Sequence, residues 1–166
     1  MRNWSIKKII KEIVVTLLML FVISMVLNYI RKPDTDAILD DIKVSLISGE
    51  EISLRSDGTK PTIVHFWATW CPTCKLEAPN LESIKDEAYL VTIAVNSGSD
   101  SELKAFMKER GYSYAVVNDR DGKLSKKFGV GAFPTTFIYD SNGSLKFSEV
   151  GYSTTIGLKA RLALIK

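Results

Sequence analysis

The stretch His65-Phe66-Trp67-Ala68-Thr69-Trp70-Cys71-Pro72-Thr73-Cys74-Lys75 holds both cysteines of the 166-residue chain. An apolar run over 62–67 precedes the pair and a helical pattern follows it. The first sulfur therefore falls at a helix N-terminus, where the helix dipole and free backbone amides favour a thiolate. The second lies one turn further in, within disulfide reach, so Cys71 and Cys74 are expected to form a reversible disulfide. Two other uses of a Cys-x-x-Cys pair fit less well. Tetrahedral zinc wants four ligands, and the chain offers one histidine and no third cysteine. A purely structural disulfide around so short a loop adds little stability, because the entropic gain grows with loop length.

Upstream, the chain is basic and then apolar. Arg2, Lys7, Lys8, Lys11, Arg31 and Lys32 stand against Glu12 alone in the first 32 residues, and the rest carries 16 basic and 18 acidic side chains. The net charge of +3 is thus a property of the N-terminus, and no basic stripe remains to suggest nucleic acid. Residues 13–30 are 18 positions without a charge, long enough as a helix to cover about 27 Å at ~1.5 Å per residue. No small-x-small cleavage site ends the run at Leu27-Asn28-Tyr29-Ile30-Arg31. Trp4 and Tyr29 bracket it, lysines precede it, and Asp34, Asp36, Asp40 and Asp41 follow. We expect a cytoplasmic N-terminus over 1–12, an uncleaved single-pass anchor over 13–30, a linker over 31–37, and a domain over 38–166 outside the membrane.

Downstream of the linker, the alternation over 42–46 and 52–54 around Ser48-Gly49-Glu50 predicts a hairpin. A buried strand over 61–67 should run into the dithiol. The helix after it should carry Leu76, Leu81 and Ile84 inward to about Glu87, with Pro79 removing one amide. A second buried strand is expected over 89–95 and a helix over 100–110, with Leu103, Phe106 and Met107 inside and Gly111 as its stop. A short strand over 114–117, a short helix over 123–128 and a hairpin of 135–139 with 145–150 should follow. The final helix should use Ile156, Leu158, Leu162 and Leu164. This order predicts an α/β domain with a mixed sheet flanked by helices and the dithiol at a strand-to-helix junction.

The expected chemistry is thiol-disulfide exchange through a mixed disulfide. Cys71, nearer the helix start and the surface, should attack, and Cys74 should resolve. Trp67 and Trp70 should pack the strand and the rim of the site.

Two segments carry a resemblance: the stretch from His65 to Cys74, and Gly131-Ala132-Phe133-Pro134-Thr135-Thr136-Phe137 some 60 residues later. Together they resemble the thioredoxin-like fold, in its anchored cell-envelope branch that includes the cytochrome c maturation reductants (the TlpA/ResA/CcmG-like superfamily). Ala94-Val95-Asn96-Ser97-Gly98-Ser99-Asp100, Val116-Val117-Asn118-Asp119 and Gly151-Tyr152-Ser153 extend the likeness toward the suppressor of copper sensitivity protein D type. The resemblance implies a cis Phe133–Pro134 bond beside the dithiol, whose preceding backbone pairs with an extended substrate. It also makes Pro72 and Thr73 the residues between the sulfurs, and gives Phe133 apolar contact area for a partner. In thioredoxin a buried aspartate stands six positions before the first cysteine. Here that position is His65, either a hydrogen-bonded core residue or a proton relay titrating near neutrality. Glu77, six after Cys71, resembles an acidic residue that some cytochrome maturation reductants carry; a solvated helix carboxylate is the plainer expectation. Lys75 is expected to be solvated, with a small contribution to the positive potential.

The function these features imply is a membrane-anchored disulfide oxidoreductase acting on protein thiols and disulfides at the extracytoplasmic (periplasmic) side of a bacterial inner membrane. It would need an upstream membrane redox partner and no cofactor beyond its own disulfide. Alternatives are a cytochrome c maturation-type thiol reductant and, from a different class, a copper-tolerance module holding Cu(I) at Cys71 and Cys74.

Overall fold

The computed structural model describes the backbone of residues 6–30 and the whole of 38–165, with side chains in the first segment placed at Lys8 and at 10–23. Trp4, the side chain of Tyr29 and the expected linker over 31–37 lie outside the described residues. The chain divides into two units, Met1–Lys32 and Pro33–Lys166. In the first, helix α1 runs over Ile6–Ile30, starting earlier than the apolar run, where Lys7, Lys8, Lys11 and Glu12 are good helix formers. Among the described residues no helix is long and apolar enough to cross a membrane. The described side chains of the run end at Ile23, whereas the sequence continues it to Ile30.

The second unit is built on a five-stranded sheet. A separate antiparallel hairpin comes first, β1 (Lys43–Ser45) with β2 (Glu51–Ser53). Then follow β3 (Thr62–Trp67), α2 (Pro72–Ile84), β4 (Tyr89–Val95), α3 (Asp100–Arg110), β5 (Ala115–Asp119), α4 (Lys123–Lys127), β6 (Thr135–Tyr139), β7 (Leu145–Val150) and α5 (Thr155–Ala163). The sheet order is β5-β4-β3-β6-β7, with β3 parallel to β4 and antiparallel to β6. The strand that leads into the dithiol is therefore central. All six of its residues are buried, as a strand covered on both faces requires.

Alternation along β3 divides the core in two. Ile63 and Trp67 face a layer containing Leu81 and Ile84 of α2, Leu103 and Met107 of α3, and Leu158 and Leu162 of α5. Val64 and Phe66 face Phe128, Phe137, Val117 and the hairpin residue Val44. Two expectations fail on this point. Leu76 is 70 % exposed and Ile156 82 % exposed, and Leu164 also faces outward. At 3.6 residues per turn the inward arc of α2 is set by Cys74, Ala78, Leu81 and Ile84, and Leu76 falls off it. On α5 only Leu158 and Leu162 keep the i, i+4 spacing. The helix α2 also ends three residues short of Glu87.

Candidate active site

Cys71 is the N-cap of α2, with extended backbone (φ −85°, ψ 114°), and Pro72 occupies the first helical position, where no amide is needed. The Cys71 sulfur accepts a hydrogen bond from the Cys74 backbone amide at 3.2 Å. Cys71 and Cys74 are joined as a disulfide, with their Cα atoms 5.3 Å apart. Both cysteines are buried, Cys71 at 5 % exposure and Cys74 at 2 %. No acidic side chain occupies the first turn of α2. The positive end of this helix is left facing the sulfur, the condition that lowers a thiol's pKa.

Three loops complete the rim. The Phe133–Pro134 peptide is cis, and the Phe133 carbonyl oxygen lies 3.8 Å from the Cys71 sulfur. Trp70 is 57 % exposed and meets the Phe133 ring edge to face, with centroids 5.7 Å apart. Its indole Nε1 donates to the Asn96 carbonyl (3.1 Å), and the Thr69 amide donates to the Ser97 hydroxyl (3.0 Å). Asn96 has φ 47°, a left-handed conformation that asparagine tolerates better than most residues. Asn96 and Ser97 thus brace the chain immediately before the dithiol, a part that the reading of the sequence did not give them. The Asn-Ser-Gly turn that follows β4 was the available signal. Trp67 is buried and packs on Phe106 at 5.6 Å, as expected of a strand tryptophan. Thr73 is half-buried, and Pro72 and Lys75 are exposed.

Glu77 departs most from expectation. It is not a solvated carboxylate but fully buried, and neither of its oxygens has a hydrogen-bond partner. It shares the inner face of α2 with Cys74, one turn further on. Burial pushes its pKa up to about 8, against a weaker opposing pull from the backbone and hydroxyl of Ser153, which lie near it without reaching bonding geometry. An unpartnered carboxyl in such a place is neutral at neutral pH.

His65 is likewise buried, opposite Thr136 of β6 and Thr92 of β4 in the ladders. Its Nδ1 sits 2.9 Å from the Thr136 hydroxyl. Burial lowers its pKa to about 3, so the ring stays neutral at physiological pH. Burial and the Thr136 contact are those of a hydrogen-bonded core residue.

An exchangeable cysteine pair capping the helix after a central strand, with a cis-proline loop against its outer sulfur, defines a thiol-disulfide oxidoreductase of the thioredoxin-like fold. Comparison with known proteins agrees: residues 36–148 match the AhpC/TSA family, and the chain belongs to it. It is 30 % identical over 160 residues to a thioredoxin-like protein of Haemophilus influenzae, covering 95 % of both chains. It is 35 % identical over 120 residues to sporulation thiol-disulfide oxidoreductase A of Bacillus subtilis, covering 68 % of this chain and 72 % of that one. The crystal structure of StoA from Bacillus subtilis superposes with a TM-score of 0.67 at 29 % identity, over 76 % of this chain and 98 % of that one. The redox centre is the cysteine pair itself. Among the described residues no three His, Cys, Asp or Glu side chains gather as a metal site would require.

Proposed function

We propose that this oxidoreductase is tethered to the bacterial inner membrane by α1 and exchanges disulfides with protein substrates on the extracytoplasmic (periplasmic) side. The observation that carries the exchange chemistry is the Cys71 sulfur at the open N-terminus of α2, 3.2 Å from the Cys74 amide. In the reducing direction the Cys71 thiolate attacks one sulfur of a substrate disulfide, and the other substrate sulfur leaves as a thiolate. Glu77 must first be in its ionised form, a minor fraction at neutral pH for a carboxyl raised to about 8; Cys74 then gives its proton to that carboxylate and attacks the Cys71 sulfur. The Cys71–Cys74 disulfide forms, the second substrate thiolate leaves, and two electrons have passed to the substrate. Glu77, a turn beyond Cys74 in a dry site, is the acid-base group of this step. The Phe133 backbone and the Trp70 and Phe133 rings receive the substrate chain, and Pro134 shapes that loop. His65 supports the sheet beneath them.

The tether is supported by the surface of α1. Its apolar side chains from Ile10 to Ile23 each leave 44–63 % of their area open, on every side of the helix. A helix apolar all round suits lipid better than water. Protease treatment of spheroplasts tests this, with degradation of the domain expected; a protected domain contradicts it.

A Cys74→Ser variant tests the sulfur roles. It should accumulate mixed disulfides with envelope proteins through Cys71, and trapping through the wrong sulfur or none at all contradicts the assignment. The redox state of the pair in cells assigns the direction. A mostly reduced pair means a reductase fed by an upstream membrane donor, as a cytochrome c maturation-type reductant would be; a mostly oxidised pair means an oxidant with a re-oxidising partner. Exchange that persists with a copper chelator present sets aside the Cu(I) module.

A further inference from the structure

We infer that Asn80 is a positioning residue that fastens the 151–154 loop over Glu77 and so keeps that carboxyl dry beside the dithiol. The inference rests on the proton-transfer role given to Glu77 above. Asn80 lies on α2 one turn after Glu77, half-buried. Its amide makes three bonds to one short segment of chain more than 70 residues away. Its Nδ2 donates to the Tyr152 hydroxyl at 3.0 Å and to the Ser153 carbonyl at 2.9 Å. Its Oδ1 accepts from the Thr155 hydroxyl at 2.9 Å. Both amide hydrogens and the carbonyl are used, so the side chain has one orientation.

The segment it holds is otherwise pinned only at its ends. Gly151, at φ 103°, donates its amide to the Pro134 carbonyl at 2.8 Å, and Thr154 caps α5 by accepting the Gly157 amide. Between these ends stand Tyr152, half of whose surface is open, and Ser153, which is buried and is the polar neighbour of Glu77. What holds Ser153 inward is the Asn80 amide, and with Ser153 inward no surface of Glu77 reaches water. Release of Asn80 would let the loop lift, solvate the carboxyl and favour its ionised form.

Other groups able to bias Glu77 are few and already engaged or neutral. These are His65 of β3, held neutral, and Tyr114, immediately before β5, whose buried hydroxyl is held well above its usual range. On α5, Lys159 pairs with Glu87 and Arg161 with Glu149. On α2 itself there is the cysteine pair. Removing Asn80 changes none of these charges, so a shift in Glu77 reports the loop.

The test follows the Glu77 carboxyl by carbon NMR in the reduced full chain, together with the pH profile of disulfide exchange. It uses the parent, Asn80→Ala, and the nearly isosteric pair Tyr152→Phe/Thr155→Val, which removes two of the three bonds and keeps the packing. Asn80→Ala should lower the Glu77 midpoint by about one pH unit or more, as expected for partial solvation of a buried carboxyl, and should carry the matching limb of the exchange profile with it. The double variant should move both in the same direction by less, and it carries the test alone if Asn80→Ala does not fold. An unmoved Glu77 midpoint in the folded variants overturns the inference. A Glu77→Gln control separates the two readings. If that control exchanges with the parent's pH profile while Asn80→Ala still shifts the Glu77 midpoint, the role of Glu77 in exchange falls and the fastening by Asn80 stands.

Discussion

Two helices of the sheet unit begin in opposite ways. At the start of α3, Ser99 and Glu102 form a reciprocal capping box, with Asp100 beside them, so the positive helix end is satisfied by carboxylates. At the start of α2 the cap is a sulfur, a proline takes the first helical position, and no carboxylate is present in the first turn. One helix spends its N-terminus on stability; the other leaves that potential for whatever charge the sulfur acquires. Glu77 keeps to the same pattern. It is the one buried carboxyl of α2, and its surroundings hold it neutral, so it does not cancel the field at Cys71 in the resting state.

The largest effect separating the two helix starts should come from Cys71→Ser. It should abolish exchange with small disulfides and proteins while leaving the domain folded, as insulin turnover and circular dichroism would report.

Glu77→Gln should alter stability on the order of a few kcal/mol, in a pH-dependent way. The folded pKa of Glu77 is raised from an ordinary 4.5 to about 8, so the protonated carboxyl favours the native state. That contribution is whole below pH 4.5 and is lost as pH rises through 8. Glutamine loses nothing over this range, so the stability of Glu77→Gln relative to the parent should grow from pH 4.5 to 8 in denaturant melts. A difference that is flat with pH contradicts the burial of an ionisable group here.

A carboxylate placed at α2 as it is at α3, by Thr73→Glu, should compete with the thiolate for the helix end. A helix-end charge contributes ~0.3–1 kcal/mol, so the exchange rate at neutral pH should fall by up to about fivefold. The converse, Ser99→Ala, should cost about 1 kcal/mol of stability and leave exchange untouched. If it slows exchange instead, the two helix starts are coupled and the contrast between them is wrong.

Much of this arrangement is visible in the residues alone, where the signal is local. The dithiol, the bounds of α3 (Asp100–Arg110) with Gly111 as its stop, and the strands β4, β6 and β7 follow from spacing, caps and turns. Glu77 was legible in principle, since it stands four residues before Leu81 and seven before Ile84, on their arc. Its charge argued for solvent, and the roughly 3.6-residue period of the helix prevailed. The exposure of Leu76, Ile156 and Leu164 is the same lesson with the sign reversed. The bonds of Asn80 to 152–155, and of Asn96 and Ser97 to the chain before Cys71, were not legible. They depend on contacts between loops that only the assembled sheet brings together.

The most direct measurement is the pH dependence of alkylation of Cys71 in the reduced full chain, with each cysteine followed separately by mass spectrometry. A sulfur at the unshielded start of α2 should react with a midpoint below the ordinary thiol value of about 8.5, and faster than Cys74. A midpoint at or above that value, or a Cys71 slower than Cys74, would contradict the claim that the helix is built to hold a thiolate there.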